Sequence, residues 1–137
     1  MSSKSVAGQI PSLTEKVHDA TSQEVKGRLV CLKVDGVTKM SRQFIGINIQ
    51  YVESTQLVIR TLALKMSGRR TALNLKSEIL STLDLYGIRL LNILTSTTDA
   101  GANMIKMSAL LREAQEDDVD AKMNGSQSSN WTTTCRR

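Results

Sequence analysis

Three apolar runs of strand length, separated by short polar connectors, restrict the fold of this 137-residue chain more than any other feature. The runs cover residues 29–34, 44–52 and 57–65. In the second run isoleucines alternate with polar or small residues, which is typical of a strand covered on one face. The connectors 39–43 and 53–56 are too short for a crossover helix, so they favour hairpins. The sequence therefore predicts a three-stranded antiparallel meander.

A helical stripe and a fourth apolar run follow the meander. The stripe consists of Ala72, Leu75, Ile79, Leu83 and Tyr86. Gly87 comes directly afterwards, where a helix commonly ends in a left-handed residue. Because this helix separates the third run from the fourth, at 91–98, the fourth strand can lie parallel to the first. With a second helix expected over 102–111, the predicted fold class is α/β.

The pattern divides the chain into three parts. Residues 1–27 form a polar segment with a helix beginning at Pro11, residues 28–112 form the α/β domain, and residues 113–137 form an acidic and then polar tail expected to be disordered. The hydrophobic share of 40% is enough for an ordinary core. No apolar run approaches the roughly 20 residues that span a bilayer. We therefore expect a soluble intracellular protein without a membrane partner.

The net charge and the cysteine and histidine content exclude few classes of function. The net charge of +5 is scattered, so it is a weak indication of nucleic-acid binding. Lys39, Arg42, Arg69 and Arg70 lie in connectors and are candidate DNA contacts. The two cysteines form no CxxC pair, which argues against structural zinc. His18 is expected to be exposed and without a role.

Two aspartates provide the strongest functional indication. Asp35 and Asp99 each follow an apolar run, and neighbouring parallel strands bring such residues to one edge of a sheet. Two adjacent carboxylates repel each other, and a bound Mg²⁺ or Mn²⁺ relieves this repulsion. Gly101 and Asn103 are expected to support the turn after Asp99. The alternative is that Asp99 only caps the following helix.

Several linked motifs resemble the RNase H-like catalytic domain of hAT-superfamily DNA transposases. They are VCLKVDGVT (30–38), FIGINIQY (44–51), RTLAL (60–64), RTA (70–72) and TTDAGANM (97–104). The resemblance covers roughly residues 28–112 and implies an incomplete RNase H-like fold. It also implies that Asp35 and Asp99 are the first two members of an Asp, Asp, Glu catalytic triad that binds the metal. We therefore expect Mg²⁺- or Mn²⁺-dependent DNA chemistry in the family and a nuclear location.

The third acid of the triad is missing from this sequence. In the family it is a glutamate on a much later helix, and Glu113 and Glu116 are poor substitutes because they lead away from Asp99. We therefore expect weak or absent metal binding and no catalysis by the chain alone. A transposon-derived module that binds nucleic acid or protein without chemistry is the alternative. A doubly wound nucleotide-binding domain is disfavoured because no glycine-rich loop follows the first strand.

The predicted sheet also leaves a strand edge without a partner. A sheet that ends at its fourth strand exposes the outer edge of that strand, and Leu94 is expected to be partly uncovered. Self-association through this edge is therefore expected.

Overall fold

The computed structural model describes residues 3–68 and 71–125. In chain order its elements are α1 (Ser3–Val25), β1 (Val30–Lys39), β2 (Arg42–Glu53), β3 (Gln56–Ser67), α2 (Ala72–Leu85), β4 (Ile93–Thr98) and α3 (Ala102–Gly125). A short 3-10 helix, Leu90–Asn92, leads into β4.

The strands form one mixed sheet in the order β3-β2-β1-β4. β1 pairs with β2 and β2 with β3 in antiparallel fashion, while β4 lies parallel to β1. This confirms the predicted α/β fold class, in which a meander is followed by a helical crossover to a strand beside the first. The arrangement is consistent with an incomplete RNase H-like fold.

The two hairpins close more tightly than the sequence suggested. Met40 and Ser41 form one turn and Ser54 and Thr55 the other, and all four residues have positive φ. Two-residue turns with positive φ match the right-handed twist of the strands that they join. As a result the strands extend almost to the turn, and β1 continues to Lys39, well past the predicted end at Val34.

Alternation along the strands places one face of the sheet in the core. Buried residues occur at even positions of β1 and odd positions of β2. Helices α2 and α3 cover this face. The side chains that are almost completely buried include Leu32, Val34, Ile45, Ile47, Ile49, Leu75, Ile79, Leu83 and Met107. The core is therefore built from aliphatic side chains and methionine, as the low aromatic content requires.

Helix α2 begins and ends as predicted. The Thr71 hydroxyl accepts a hydrogen bond from the backbone N–H of Asn74, which caps the first turn. At the other end Gly87 has a φ of 67°, and its N–H donates to the carbonyl of Asp84. The Ile88 N–H donates to the carbonyl of Leu83, which completes a Schellman motif.

Helix α1 differs from the prediction. It begins at Ser3, so Pro11 lies inside the helix and does not start it. Proline lacks the N–H that an interior helical residue donates, so sequence rules place it in the first turn. His18 is also not simply exposed, because its Nε2 lies 2.8 Å from the carbonyl oxygen of Leu85 and its ring lies 4.6 Å from that of Tyr86.

A polar cluster attaches the end of α1 to the sheet. The Tyr51 hydroxyl donates to Glu24, and Arg60 donates to the same carboxylate through Nε at 3.2 Å and Nη2 at 2.8 Å. The hydrogen bond from Arg60, followed by that from Tyr51, lowers the pKa of Glu24. Burial and the hydrogen bond to Glu24 raise the pKa of Tyr51 to about 12. These hydrogen bonds attach α1 to the same face of the sheet that α2 and α3 cover.

Helix α3 is longer than predicted and includes part of the predicted tail. It continues to Gly125, so the acidic stretch from Glu113 to Asp120 is helical, and the expectation of disorder was wrong for residues 113–125. Residues 126–137, the rest of that tail, lie outside the described residues. Side chains of α3 pack on α2 and β4 and hold this helix against the sheet. The composition of the acidic stretch does not indicate this packing. In the described part of the chain no helix is both long enough and apolar enough to cross a membrane.

Candidate functional site

The parallel pairing of β1 and β4 determines where the two aspartates lie. Val34 and Thr98 are the last register partners of this pair. Asp35 follows Val34 within β1, and Asp99 follows Thr98 in the loop after β4, so both residues come just after the last paired positions of the two strands. The structure thus confirms that β1 and β4 are neighbouring parallel strands, as the sequence predicted.

Asp35 does not end its strand, in contrast to the prediction. It lies in the middle of β1 and pairs with Gly46 of β2, because the hairpin continues to Lys39. The carboxylate lies instead at the point where β1 loses its partner β4. By strand alternation Asp35 belongs to the face opposite the core, and half of its side chain is exposed.

Two neighbours shape the surroundings of Asp35. The Lys33 ammonium lies 3.9 Å from Asp35 Oδ2, since residues two apart in a strand share a face. Gly46 has no side chain, and a Cβ placed there would have no neighbour closer than 3.8 Å. The β2 side of the carboxylate is therefore open, while the β1 side carries a compensating positive charge.

Asp99 lies in the loop that starts α3. Its Oδ1 accepts a long hydrogen bond of 3.4 Å from the N–H of Gly101. The Gly101 carbonyl then accepts from the N–H groups of Met104 and Ile105 at 2.9 and 3.0 Å, which begins the helix. Asp99 therefore helps to form the turn before α3, but it does not cap the helix, because its Oδ1 accepts from Gly101, which precedes the first helical residue.

The predicted supporting residues have smaller roles than expected. Gly101 does not have a positive φ, so its backbone conformation is open to other residues. A Cβ at this position would lie 3.4 Å from Asp99 Oδ1, an ordinary contact. Asn103 is exposed in the first turn of α3 and lines a shallow hollow of about 340 Å³ together with Asp99 and Leu75.

The candidate DNA contacts are only partly described. Lys39 and Arg42 face each other in register beside the turn of the first hairpin, and both are exposed. Lys39 lies four residues beyond Asp35, about 13 Å along the strand. Arg69 and Arg70 lie outside the described residues.

No third acidic ligand joins the pair in the described structure. Among residues 3–68 and 71–125, no three His, Cys, Asp or Glu side chains are close enough to hold one ion. Glu113 lies about 16 Å along α3 from its first residue, far from Asp99. Asp35 thus has an open side and a nearby ammonium, whereas Asp99 lies in the loop that follows β4.

The structure contradicts the nucleotide-binding alternative. In a doubly wound domain, a loop after the first strand leads into a helix whose start binds phosphate. Here β1 turns directly into β2 through Met40 and Ser41. There is no loop at that position in which a phosphate could lie.

Comparison with known protein families and with curated proteins finds no match to this chain.

Proposed function

We propose that this chain descends from the RNase H-like catalytic domain of an hAT-type DNA transposase and that Asp35 and Asp99 form a reduced divalent-metal site. The observation that supports the proposal is the parallel register of Val34 and Thr98, the residues that directly precede Asp35 and Asp99 in the sequence. The strand order and the spacing of the motifs support the same origin.

The donor set is compatible with Mg²⁺ or Mn²⁺. Magnesium is often held by one or two carboxylates together with several waters, so two aspartates are a sufficient though minimal set. In phosphodiester chemistry such ions activate the attacking oxygen and stabilise the leaving oxygen. Asp35 and Asp99 would hold the ion, and the absent side chain of Gly46 leaves room for a substrate beside Asp35.

We propose that the chain alone does not cleave DNA. Positioning charge where it develops in the transition state contributes several kcal/mol to catalysis. A site that lacks one of three carboxylates holds its metal less firmly and loses much of that contribution. The residues described here supply only two. By this proposal the chain acts in the nucleus and retains association without chemistry.

The metal site is tested by Mn²⁺ titration, with the free ion followed by electron paramagnetic resonance. We expect weak binding that Asp35→Asn or Asp99→Asn abolishes and that Asp118→Asn, an exposed change on α3, leaves intact. Absence of any Mn²⁺ binding by the unmodified chain would refute the site. In parallel, we expect no metal-dependent nicking of supercoiled DNA, and nicking that both substitutions at the site abolish would show that the chain is active.

DNA binding without catalysis is supported by the exposed hairpin residues Lys39 and Arg42. Phosphate contacts of this kind weaken steeply as salt increases. We expect salt-sensitive retention of DNA that the double change Lys39→Gln, Arg42→Gln reduces. Retention unaffected by salt would exclude phosphate contacts and favour a protein partner.

Self-association belongs to the same proposal. β4 is the last strand on its side of the described sheet, and Leu94 is 64% exposed. Both features favour contact with another molecule.

A further inference from the structure

We propose that two copies of this chain pair through the first part of helix α1, as a short parallel coiled coil. The pairing surface, which we call the α1 seam, consists of Val6, Ile10, Leu13, Val17 and Ala20. The seam lies on a different element from the metal site and from the edge of β4, so the inference depends on neither of them.

The first part of α1 lies apart from the folded body. Every residue from 6 to 17 is exposed, so the described part of the chain buries none of them. Contact with the body begins at His18 and continues at Thr21 and Val25, which are 7% and 3% exposed. Residues 3–17 therefore extend about four turns, roughly 22 Å, away from the body.

This part of α1 is a weak helix by itself. Isolated helices of about 12–15 residues are marginal in water even when they are rich in alanine. The stretch also contains Gly8 and Pro11, the two residue types that weaken a helix interior most. In proteins, most of the stability of a helix comes from the packing of its apolar face. Because the described body does not pack on residues 6–17, another molecule has to supply this packing.

The spacing of the apolar side chains indicates what packs on them. Four members of the seam are between 47% and 64% exposed, namely Val6, Ile10, Leu13 and Val17. With Ala20 they follow one another at intervals of four and three residues, which is the pattern of the a and d positions of a heptad. Ile10 and Val17 take the a positions, and Leu13 takes the d position between them. Because β-branched residues at a with leucine at d favour two parallel helices, the seam fits a second helix of the same kind.

The residues beside the seam favour a second copy as the partner. In a coiled coil, charges at the flanking e and g positions select which helix binds. In the first part of α1 these positions hold Ala7, Gln9, Thr14 and Lys16. In a parallel pair Gln9 faces Thr14 of the other copy, and Lys16 faces Thr21. Two copies therefore meet without like charges, and no set of charges calls for a different partner.

The folded body leaves the seam accessible. The residues of α1 that contact the body are His18, Thr21, Ser22 and Val25. At about 100° per residue, they are centred roughly 110° around the helix from the seam. The two bodies therefore lie to the sides of the paired helices and not between them. Such a contact is isologous, because the same surface of each copy faces the other.

The test uses the full chain and sedimentation velocity over a concentration series. We expect a reversible monomer–dimer equilibrium that Ile10→Glu weakens at least about tenfold, since it places a charge in the seam of both copies. The matched control is Ser12→Glu, which places the same charge at an exposed position of α1 outside the seam and should leave the equilibrium unchanged. Circular dichroism checks that both variants stay folded. Their Mn²⁺ binding should match that of the unmodified chain.

Disulfide formation tests the parallel arrangement. In a background of Cys31→Ser and Cys135→Ser, Val6→Cys places one thiol per chain in the seam. Oxidised glutathione should join two such chains, because equivalent d positions lie close enough for a disulfide only when the helices are parallel. The control is Gly8→Cys, which lies in the same turn but outside the seam, with open space around its Cβ. This variant should form far less of the disulfide-linked dimer.

Three results would overturn the proposal. They are a monomer at every concentration, a dimer that Ile10→Glu and Ser12→Glu affect equally, and equal disulfide formation by Val6→Cys and Gly8→Cys. The second result would place the contact elsewhere, as at the edge of β4. Failure of Mn²⁺ binding with an intact dimer would instead refute only the metal site.

Discussion

Removing the positive charge beside Asp35 should strengthen metal binding. The Lys33 ammonium lies 3.9 Å from Asp35 Oδ2, and the two side chains are 45% and 50% exposed. In the folded protein the ammonium therefore compensates the same carboxylate that a divalent ion would use. Lys33→Met keeps much of the aliphatic stem and removes the charge, so it tests this competition directly.

The magnitude follows from distance and exposure. Two unit charges 4 Å apart interact by about 1 kcal/mol in water. Measured exposed pairs contribute about 0.2–1 kcal/mol because solvent screens them. Taking roughly 0.5–1 kcal/mol, Lys33→Met should tighten Mn²⁺ binding about two- to fivefold. The gain should shrink as ionic strength increases.

The assay is the Mn²⁺ titration with two controls. Lys33→Arg retains the charge and should leave the affinity unchanged. Lys39→Met removes a charge about 13 Å from Asp35, beyond the screening length of about 8 Å at physiological salt, and should also have little effect. If Lys33→Met leaves the affinity unchanged or weakens it, Lys33 does not compete for Asp35 and the electrostatic reasoning is wrong.

Two stability predictions test the packing that holds the site in place. Tyr51→Phe removes a partly buried hydrogen bond to Glu24 and should cost about 1 kcal/mol in urea unfolding at neutral pH. Because folding raises the pKa of Tyr51 from 10.0 to about 12, the folded state retains a proton that the unfolded state releases. The stability of the unmodified chain should therefore fall as pH increases through this window, and the Tyr51→Phe variant should lack that part of the decrease; equal slopes would contradict the assignment. Met107→Ala empties a fully buried position of α3 and should cost about 2–5 kcal/mol, whereas Ile105→Ala, at an exposed position of the same helix, should cost less than about 1 kcal/mol; similar losses would show that α3 does not pack as described.

The site was predictable to the extent that strand order determines it. The short connectors required hairpins, and the helix between the third and fourth runs allowed the parallel return. Asp35 and Asp99 were therefore expected on adjacent strands. The ion pair of Lys33 with Asp35 also follows from strand alternation, yet it becomes a specific contact only when the side-chain conformations are known.

The sequence alone determined the elements that local patterns encode. The alternating isoleucines of β2 and the stripe of α2 with its stop at Gly87 depend on neighbours a few residues away, so they can be predicted from the chain itself. Tertiary structure decided what depends on distant residues. Helix α1 passes through Pro11 and is held by Arg60, α3 extends through an acidic stretch because it packs on the sheet, and no helix among the described residues covers the outer face of the sheet. These outcomes depend on burial and pairing between residues far apart in sequence. The local pattern of apolar and polar residues therefore does not predict them.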